Sequence, residues 1–511
     1  MKLLYILIFS VILSTGLFAQ ALTYYVDPLN GSDSNTGTID KPFQSLSKSL
    51  SVLDANIGTI YLRGGLYSIN VKVSLKKNGS ENNYINIWAY PGEKPIIDFT
   101  GNTSDGLSIS GTYYHIKGLE IMKAGHNAIN ISGHHNIIEN CYVHENGNTG
   151  IHMGSSSNQN NPSFNLILNC DSYYNFDSPK GGNADGFSAK WNVGLGNVFR
   201  GCRANNNSDD GWDLWMCINT VTIDSCFAYR NGNDIWHTGL NGNNGNGFKL
   251  GGSYIATPHI IKNCVAFDNS GDSGKGIDEN HNTAGQTVYN CTSFRNKGNN
   301  FNFEDAVVQG EHIIKNCVSF EGNVSITSGT QEKNSWSGFT VTAADFLSLD
   351  TALVSAPRDY DGKLKKSFFF RLSAGSSLID AGVDVGIPFL DVAPDLGAFE
   401  YDGTTGVERI EKLANNFILE QNYPNPFNPQ TIIEYQINDV GAQHVTPVQL
   451  KIFDVLGREV ATLVNEEKPA GNYKVEFNAK TLWGTMQSSG VYLYRLTAGG
   501  YVQSKKMILM K

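Results

Sequence analysis

One short motif recurs through the middle of the sequence and restricts the fold more than any other feature. In each copy, an apolar residue stands between a small or polar residue on its N-terminal side and a polar residue on its C-terminal side. The copies read Asp105-Gly106-Leu107-Ser108, Asn127-Ala128-Ile129-Asn130, Thr149-Gly150-Ile151-His152, Asp185-Gly186-Phe187-Ser188, Asp210-Gly211-Trp212-Asp213, Asn246-Gly247-Phe248-Lys249, Lys275-Gly276-Ile277-Asp278 and Asn300-Phe301-Asn302. This alternation predicts β-strands with one buried face.

A second motif, built around a cysteine, lies between copies of the first. Its copies are 24 to 38 residues apart and begin at Asn140, Asn169, Gly201, Ser225, Asn263, Asn290 and Asn316. A repeat of this length, with short strands and no helical periodicity, predicts a solenoid, and coils made only of strands indicate an all-β, parallel β-helix. Equivalent residues should then stack in columns about 4.8 Å apart.

Two such columns are predicted from the cysteine motif. Free thiols should stack inward, because the strand spacing exceeds the roughly 3.8 Å between Cβ atoms that a disulfide prefers; disulfides are the alternative. The residues concerned are Cys141, Cys170, Cys202, Cys226, Cys264, Cys291 and Cys317. At the preceding turn position we expect left-handed backbone and a ladder of amide hydrogen bonds. That ladder would join Asn140, Asn169, Asn263, Asn290 and Asn316.

Three neighbouring copies of the first motif carry charged residues in place of neutral polar ones. The carboxylates of Asp185, Asp209, Asp210 and Asp213 should converge on two adjacent coils, where their repulsion would raise some pKa values. A hard divalent cation would remove this conflict, and oxygen ligands without His or Cys favour Ca²⁺ over zinc. The alternative is a solvated acidic turn.

Lys249 lies in the next copy and should be a close neighbour of Asp213 on the outer face. A lysine can act as a general base only when it is neutral. Asp213 would raise its pKa from the ordinary value of about 10.4, whereas a bound cation would oppose that, and we expect a net lowering of the pKa. The alternative is an ordinary surface lysine.

The start of the chain predicts export and a covered end of the solenoid. Residues 1–21 have the charged start, apolar run and small-residue end of a secretory signal peptide. A segment that begins at Pro42 has apolar residues at helical spacing, and we expect a short amphipathic helix that covers the open end of the β-helix. The β-helix itself is predicted over residues 22–330.

The rest of the chain predicts three further segments. Residues 331–401 break the repeat and should close the far end of the helix. Residues 402–416 form a polar linker, and residues 417–511 alternate strands and turns as a small antiparallel β-sandwich does. No run after the signal peptide is apolar enough to span a bilayer.

Charge limits the possible partners. The net charge of −10, without a basic stripe, argues against nucleic acid. We expect the chain to act as a monomer.

The tail closely resembles the C-terminal sorting domain of proteins exported by the type IX secretion system. The residues that carry the resemblance are the segment from Asn422 to Pro429, the turn from Asp454 to Arg458, and the ending Gly490-Val491-Tyr492-Leu493-Tyr494. The resemblance implies contact with the type IX machinery and either secretion or attachment at the cell surface.

The charged copies also resemble the site motifs of family 9 pectate lyases. The motifs are NADGF, NSDDGWD and NGFKLGG, and the resemblance spans roughly residues 22 to 325. It implies a right-handed parallel β-helix that cleaves polygalacturonate, an acidic plant cell-wall polysaccharide, by β-elimination. It assigns a Ca²⁺ cofactor to Asp185, Asp209, Asp210 and Asp213, and the role of base to Lys249.

Three other functions stay open at this point. A lyase on another uronate, such as alginate, could use the same metal and base. A polygalacturonase-like hydrolase would use paired carboxylates, although the sequence lacks the Gly-His-Gly and Arg-Ile-Lys segments of that family. A non-catalytic carbohydrate-binding β-helix would bind Ca²⁺ without turnover. Further candidates for sugar contact are His152, Asp278, Lys190, Lys275 and Arg203.

Overall fold

The computed structural model describes most of the chain, in two compact units that span Met1–Tyr401 and Asp402–Lys511. The described residues are 22–53, 58–155, 161–240, 242–359, 362–364, 367–403, 417–437, 445–454, 458–469, 471–479, 489–498 and 501–510. The predicted signal peptide, residues 404–416 of the predicted linker and residues 455–457 of the sorting-domain turn lie outside them.

The first unit is a parallel β-helix made of three sheets, as predicted. Each coil contributes one strand to the first sheet, then one to the second and one to the third, and every strand pairs in parallel with its equivalents in neighbouring coils.

The strand bounds of the three sheets follow. The first sheet contains Leu22–Val26, Gly58–Leu62, Ile85–Ala89, Tyr114–Lys117, Ile137–Glu139, Leu166–Leu168, Asn197–Arg200, Val221–Asp224, Ile260–Lys262, Thr287–Tyr289, Ile313–Lys315 and Thr330–Glu332. The second contains Gly65–Ser68, Pro95–Asp98, Glu120–Met122, Tyr142–His144, Asp171–Tyr173, Arg203–Asn205, Phe227–Tyr229, Val265–Phe267, Thr292–Phe294 and Val318–Phe320. The third contains Val73–Leu75, Leu107–Ile109, Ile129–Ile131, Ile151–Ser155, Phe187–Trp191, Trp212–Asp213, Phe248–Lys249, Ile277–Asp278, Phe301–Phe303 and Val324–Ile326.

The first motif forms the third sheet in the predicted register. Its apolar residues are strand partners from one coil to the next and are buried, in the order Leu107, Ile129, Ile151, Phe187, Trp212, Phe248, Ile277 and Phe301. Beneath the charged copies this column is aromatic. The rings of Phe187 and Trp212 stack with centroids 4.7 Å apart, and those of Trp212 and Phe248 at 4.8 Å. Because stacked rings match the spacing of the strands, they form a dense support under the charged residues.

The cysteine column is also confirmed. All seven residues are buried, and their thiols are free. Three of the sulfur atoms, those of Cys202, Cys226 and Cys264, accept a hydrogen bond from the backbone N–H of the cysteine in the preceding coil, at 3.4 to 3.5 Å. Cys217, which lies outside the column, is buried and donates its thiol to the Asn219 carbonyl at 3.2 Å.

The asparagine ladder forms at a different position from the predicted one. Asn140, Asn169, Asn263, Asn290 and Asn316 do have positive φ, but within the described residues only Asn316 donates to another member of this set, Asn290, at 3.0 Å. The continuous ladder uses the last residue of the motif, with amide-to-amide distances of 2.8 to 3.0 Å along Asn146, Asn175, Asn207, Asn231, Asn269 and Asn296. Each of these follows a left-handed residue and is buried. Burial favours the ladder there, because an unpaired amide inside the coil would be costly.

The predicted amphipathic helix covers the start of the solenoid. It spans Leu46–Val52, and the Ser45 side chain caps it by accepting from the Lys48 N–H at 3.1 Å. Phe43, Leu46 and Leu53 join the core of the β-helix. The helix begins at Leu46, because the side chain of Ser45 satisfies one of the free N–H groups of its first turn.

Residues 331–401, predicted to close the far end of the helix, cover one of its faces as well. They contain two short 3-10 helices, Ala343–Asp345 and Thr351–Ser355. Their buried apolar residues pack on outward side chains of the second sheet, namely Phe227, Tyr229, Val265, Phe267, Phe294 and Val318. An uncovered face of that size would expose a large apolar patch, so the chain folds back over it. Trp336 packs against Phe301 of the third sheet with ring centroids 5.0 Å apart.

The second unit contains two antiparallel sheets around their own core, which confirms the predicted sandwich. One sheet has the strands Phe417–Leu419, Gln430–Ile437 and Gly471–Asn478. The other has Val445–Asp454, Glu459–Pro469, Gly490–Ala498 and Tyr501–Leu509. Among the described residues of the whole chain, no helix has the length and apolar character needed to cross a membrane.

Deleting residues 402–511 should leave the β-helix folded. The β-helix and the tail have separate apolar cores, and stability in a solenoid comes from contacts between neighbouring coils. Circular dichroism of residues 22–401 should therefore show a β-rich spectrum and a cooperative thermal transition. An unfolded product would contradict the boundary predicted at residue 402.

Candidate active site

The charged residues predicted from the sequence come together on the outer face of the third sheet. Strand pairing aligns Ser188 with Asp213 and Asp213 with Lys249, so the predicted contact between Asp213 and Lys249 is confirmed. The turn before each strand is tight. A Cβ atom at Gly211 would lie 2.6 Å from the Gly247 carbonyl oxygen, so glycine is required where the chain enters the site.

Three carboxylates form a compact buried group. Oxygen atoms of Asp185, Asp209 and Asp210 all lie within 4.8 Å of one another. Backbone N–H groups orient two of these side chains: Asn244 donates to Asp209 Oδ1 at 2.7 Å, and Asn246 donates to Asp210 Oδ1 at 2.6 Å. The hydrogen bonds therefore hold one oxygen of each carboxylate and leave the other for the centre of the group.

The second oxygen of Asp210 lacks a hydrogen-bond partner among the described residues, although it is buried. Its contact is an ion pair with Lys249 Nζ at 3.1 Å. Burial and the neighbouring Asp209 raise the pKa of Asp210 well above its usual range. Burial likewise raises the pKa of Asp185, to about 7, and that of Asp209. Like charges are thus forced together here without full compensation.

Lys249 points into this group. Its Nζ is 3.4 Å from Asp213 Oδ2 and donates to Asn244 Oδ1 at 2.9 Å. Burial alone would lower the pKa of Lys249, but the surrounding carboxylates, Asp210 first among them, raise it well above its usual value. The predicted effect of Asp213, which raises the pKa of Lys249, is therefore present, whereas the opposing effect of a bound cation stays a prediction.

A second lysine, Lys190, belongs to the site, and its ion pairs were not predicted. Its Nζ lies 2.9 Å from Asp185 Oδ2 and 2.6 Å from Asp213 Oδ2. Burial would raise the pKa of Asp213, but Lys190 and Lys249 together hold it below its usual value. Lys190 follows Ser188 by two residues on the same strand, which places it on the outer face and was the only signal in the sequence.

The other candidates for sugar contact differ in position. His152 lies beside Ser188, with 2.8 Å between Nδ1 and Oγ, and burial together with Lys190 lowers the pKa of the histidine to about 3. Asp278 is the strand partner of Lys249 and pairs with Lys275 at 3.2 Å. Arg203 is part of the second sheet and binds Asp171 there, at 2.9 Å from Nε to Oδ1. Arg203 is therefore not part of this site, in contrast to the hypothesis from the sequence.

Aromatic side chains extend the site at the end of one of its strands and just beyond the end of another. Trp191 is 41% exposed, and its ring lies 5.7 Å from that of His152 and 6.2 Å from that of Trp215. The backbone N–H of Trp215 donates to Asp213 Oδ1 at 2.8 Å. Sequence reasoning missed these two tryptophans because an apolar residue after a strand is usually part of a core.

The donor set fits a hard divalent cation. Four carboxylates and two ammonium groups leave a formal charge of −2 at one buried place. Asp210 Oδ2 accepts no hydrogen bond among the described residues, and its ion pair with Lys249 leaves excess negative charge in the site. The carboxylates offer the oxygen ligands that hard divalent cations prefer. The convergence of Asp185, Asp209 and Asp210 is thus as predicted, whereas Asp213 lies outside this group of three and pairs with Lys190 and Lys249.

Similarity to known proteins agrees with this geometry. Residues 24–323 match the family described as Pel9A-like, right handed beta helix region, and residues 421–510 match the secretion system C-terminal sorting domain. The description of the first family confirms the predicted handedness. The sorting domain makes the chain a secreted or cell-surface protein.

Curated relatives and solved structures match over most of the first unit. Pectate lyase L of Dickeya chrysanthemi is 38% identical, over 76% of this chain and 92% of the relative. Pectate lyase L of Paenibacillus polymyxa is 40% identical, over 64% and 77%. The crystal structure of pectate lyase Pel9A is 38% identical with a TM-score of 0.69, and covers 74% of this chain and 96% of its own. A rhamnogalacturonan lyase structure is 28% identical with a TM-score of 0.62, over 70% and 98%.

The match covers more than half of the chain and includes every coil that contributes to the site. The chain therefore belongs to the Pel9A-like right-handed β-helix family.

Proposed function

We propose that this chain is a secreted, Ca²⁺-dependent pectate lyase that cleaves polygalacturonate by β-elimination. One observation carries the proposal: a lysine and four aspartates converge on a single outer face of a Pel9A-like β-helix. In this proposal Asp185, Asp209, Asp210 and Asp213 hold the cation, and Lys249 is the base. Bound Ca²⁺ would withdraw electrons from a uronate carboxylate and make the proton on C5 more acidic.

Lys249 is suited to remove that proton. Its Nζ is held from one side by the Asn244 amide oxygen at 2.9 Å and from the other by Asp210 at 3.1 Å, so the amine has a fixed position before substrate binds. Fixed orientation of a base lowers the barrier to proton transfer. The proton passes from C5 to Nζ, the electron pair of the C–H bond forms the C4–C5 double bond as the C4–O bond breaks, and the departing oxygen takes up a proton. Water is not consumed.

The position of Lys249 predicts a rate that rises with pH. Burial would lower the pKa of Lys249, but the carboxylates raise it well above its usual value in the metal-free protein. The neutral form that accepts the proton is therefore scarce at neutral pH, and below the pKa its fraction grows about tenfold per pH unit. Initial rates at saturating Ca²⁺ should climb from neutral into alkaline pH. A rate that is flat or falls over this range, in protein that is still folded by circular dichroism, would contradict Lys249 as the base.

A rhamnogalacturonan lyase is the second candidate, because one such structure is similar over 70% of this chain. The backbone of that polysaccharide alternates in sugar type, whereas polygalacturonate presents a carboxylate on every residue. A site with a formal charge of −2 repels a bound carboxylate unless a cation bridges the two. Such a bridge can form at every sugar of polygalacturonate, because each carries a carboxylate. Polygalacturonate is therefore the favoured substrate.

The test is a comparison of substrates with Ca²⁺ present. We expect unsaturated products from polygalacturonate, and much slower release from rhamnogalacturonan and from alginate. Release of reducing ends without unsaturation would identify a hydrolase instead. Ca²⁺ binding without any product would identify a carbohydrate-binding protein.

A further inference from the structure

The ammonium group of Lys190 occupies space between two of the proposed cation ligands. It contacts Asp185 Oδ2 at 2.9 Å and Asp213 Oδ2 at 2.6 Å, and only 12% of its side chain is exposed. Asp185 comes from the turn before one strand, and Asp213 ends the neighbouring strand. Lys190 therefore joins the two coils by bridging Asp185 and Asp213.

These contacts conflict with a bound cation. A Ca²⁺ ion takes carboxylate oxygens at about 2.3 to 2.6 Å. Suppose that the ion bound Asp185 and Asp213 while Lys190 kept its present contacts with both. The ion and the ammonium group would then lie a few ångströms apart in a buried site, where the repulsion between positive charges is strong. The ammonium group must therefore give up at least one of the two carboxylates when the ion binds.

We propose that Lys190 is an internal counter-ion, which neutralises Asp185 and Asp213 in the metal-free protein and competes with Ca²⁺ for them. This inference rests on the proposed calcium site. Lys190 is a positioning residue in this account: it contacts the ligands and sets the affinity of the site. Lys249 differs from it, because Lys249 is also held by the Asn244 amide and need not leave the site.

A purely structural role for Lys190 predicts the opposite effect of its removal. If its ion pairs only hold the carboxylates in place, a neutral residue would disorganise the ligands and weaken cation binding. If Lys190 competes with the cation, the same change makes the site more negative and strengthens binding. The sign of the change in affinity therefore separates the two roles.

The experiment is a calorimetric titration of the metal-free full chain with CaCl₂. We expect Lys190→Gln to bind Ca²⁺ at least about tenfold more tightly than the unmodified protein, since one positive charge beside the ion is lost. The matched control is Lys262→Gln, which removes the same charge from the first sheet, where Nζ lies 3.8 Å from Asp224. The control should change the affinity less than twofold.

A second measurement uses the unmodified protein and does not depend on the folding of a variant. Release of Lys190 should expose its amine, so labelling by an acetylating reagent, located by mass spectrometry, should increase several-fold when CaCl₂ is added. Mg²⁺ and Na⁺ at the same ionic strength show whether the release is specific to Ca²⁺.

The outcomes distinguish this inference from the proposed function. No Ca²⁺ binding by the unmodified protein would overturn the calcium site itself. Binding by the unmodified protein, combined with equal or weaker binding by folded Lys190→Gln, would overturn the role of Lys190 alone. Unchanged labelling of Lys190 on Ca²⁺ binding would also overturn it.

Discussion

Lys249→Ala should lose nearly all turnover on polygalacturonate and keep the fold. The amine is the only group that we assign to proton removal, and a general base contributes about 10²- to 10⁴-fold to the rate. We therefore expect kcat to fall by at least about a hundredfold, with Ca²⁺ binding retained. The stability of the β-helix is spread over many coils, so loss of one outward side chain should not unfold it.

Two further variants sharpen this result. Lys249→Arg should restore little activity, because a guanidinium group holds its proton more tightly than an amine. Lys262→Ala removes a lysine from the first sheet and should leave kcat unchanged. A Lys249→Ala protein with more than about a tenth of the original kcat would direct the search for the base to Lys190.

Asp210→Asn should bind Ca²⁺ far more weakly and be nearly inactive at low Ca²⁺. The amide oxygen can still accept the Asn246 N–H that now reaches Asp210 Oδ1 at 2.6 Å, so the turn should keep its shape. The substitution removes the negative charge of Asp210, including that on Oδ2, which accepts no hydrogen bond among the described residues. Changes to groups that merely support a metal ligand cost about 10- to 100-fold in affinity, and loss of a charged ligand should exceed that.

The measurement is again a calorimetric titration, with initial rates over a range of Ca²⁺ concentrations. Asp268→Asn is the control, because the carboxylate of Asp268 pairs with the half-exposed Arg295 at 2.6 Å rather than with a residue of the site. High Ca²⁺ should partly restore the rate of Asp210→Asn. Equal affinity in Asp210→Asn and in the unmodified protein would remove Asp210 from the ligand set.

The β-helix could be predicted from the sequence because each repeat shows, by the alternation of apolar and polar residues, which side chains are buried. An inward residue such as Phe187 or Trp212 must be apolar, and its outward neighbour is free to vary, so the register of the third sheet can be read from the motif alone. The contact of Asp213 with Lys249 follows from that register. The convergence of Asp185, Asp209 and Asp210 follows for the same reason.

Other features depend on contacts that a repeat does not encode. The cysteine motif ends in an aromatic, one polar residue and an asparagine, and the aromatic positions of Tyr229, Phe267 and Phe294 point outward. The repeat does not encode which segment covers these side chains. The segment proved to be residues 331–401. The amide ladder was assigned to the wrong asparagine because both asparagines of the motif lie at turns, and the motif alone does not state which amides face one another.

Lys190 shows a different limit. Its place on the outer face of the third sheet was clear, but a lysine stem has four rotatable carbons, and no pattern states where the ammonium group ends. Its contacts depend on two carboxylates from different coils. The four acids made a cation site visible in the sequence, whereas the internal cation that already lies among them is visible only in three dimensions.

The most direct test of this account is the ultraviolet absorbance of polygalacturonate treated with the protein. The account predicts that absorbance from unsaturated ends rises with Ca²⁺ present, stops when excess EGTA is added, and resumes when Ca²⁺ is restored. Full formation of unsaturated product in excess EGTA would contradict the metal site. Chain cleavage without any rise in absorbance would contradict β-elimination.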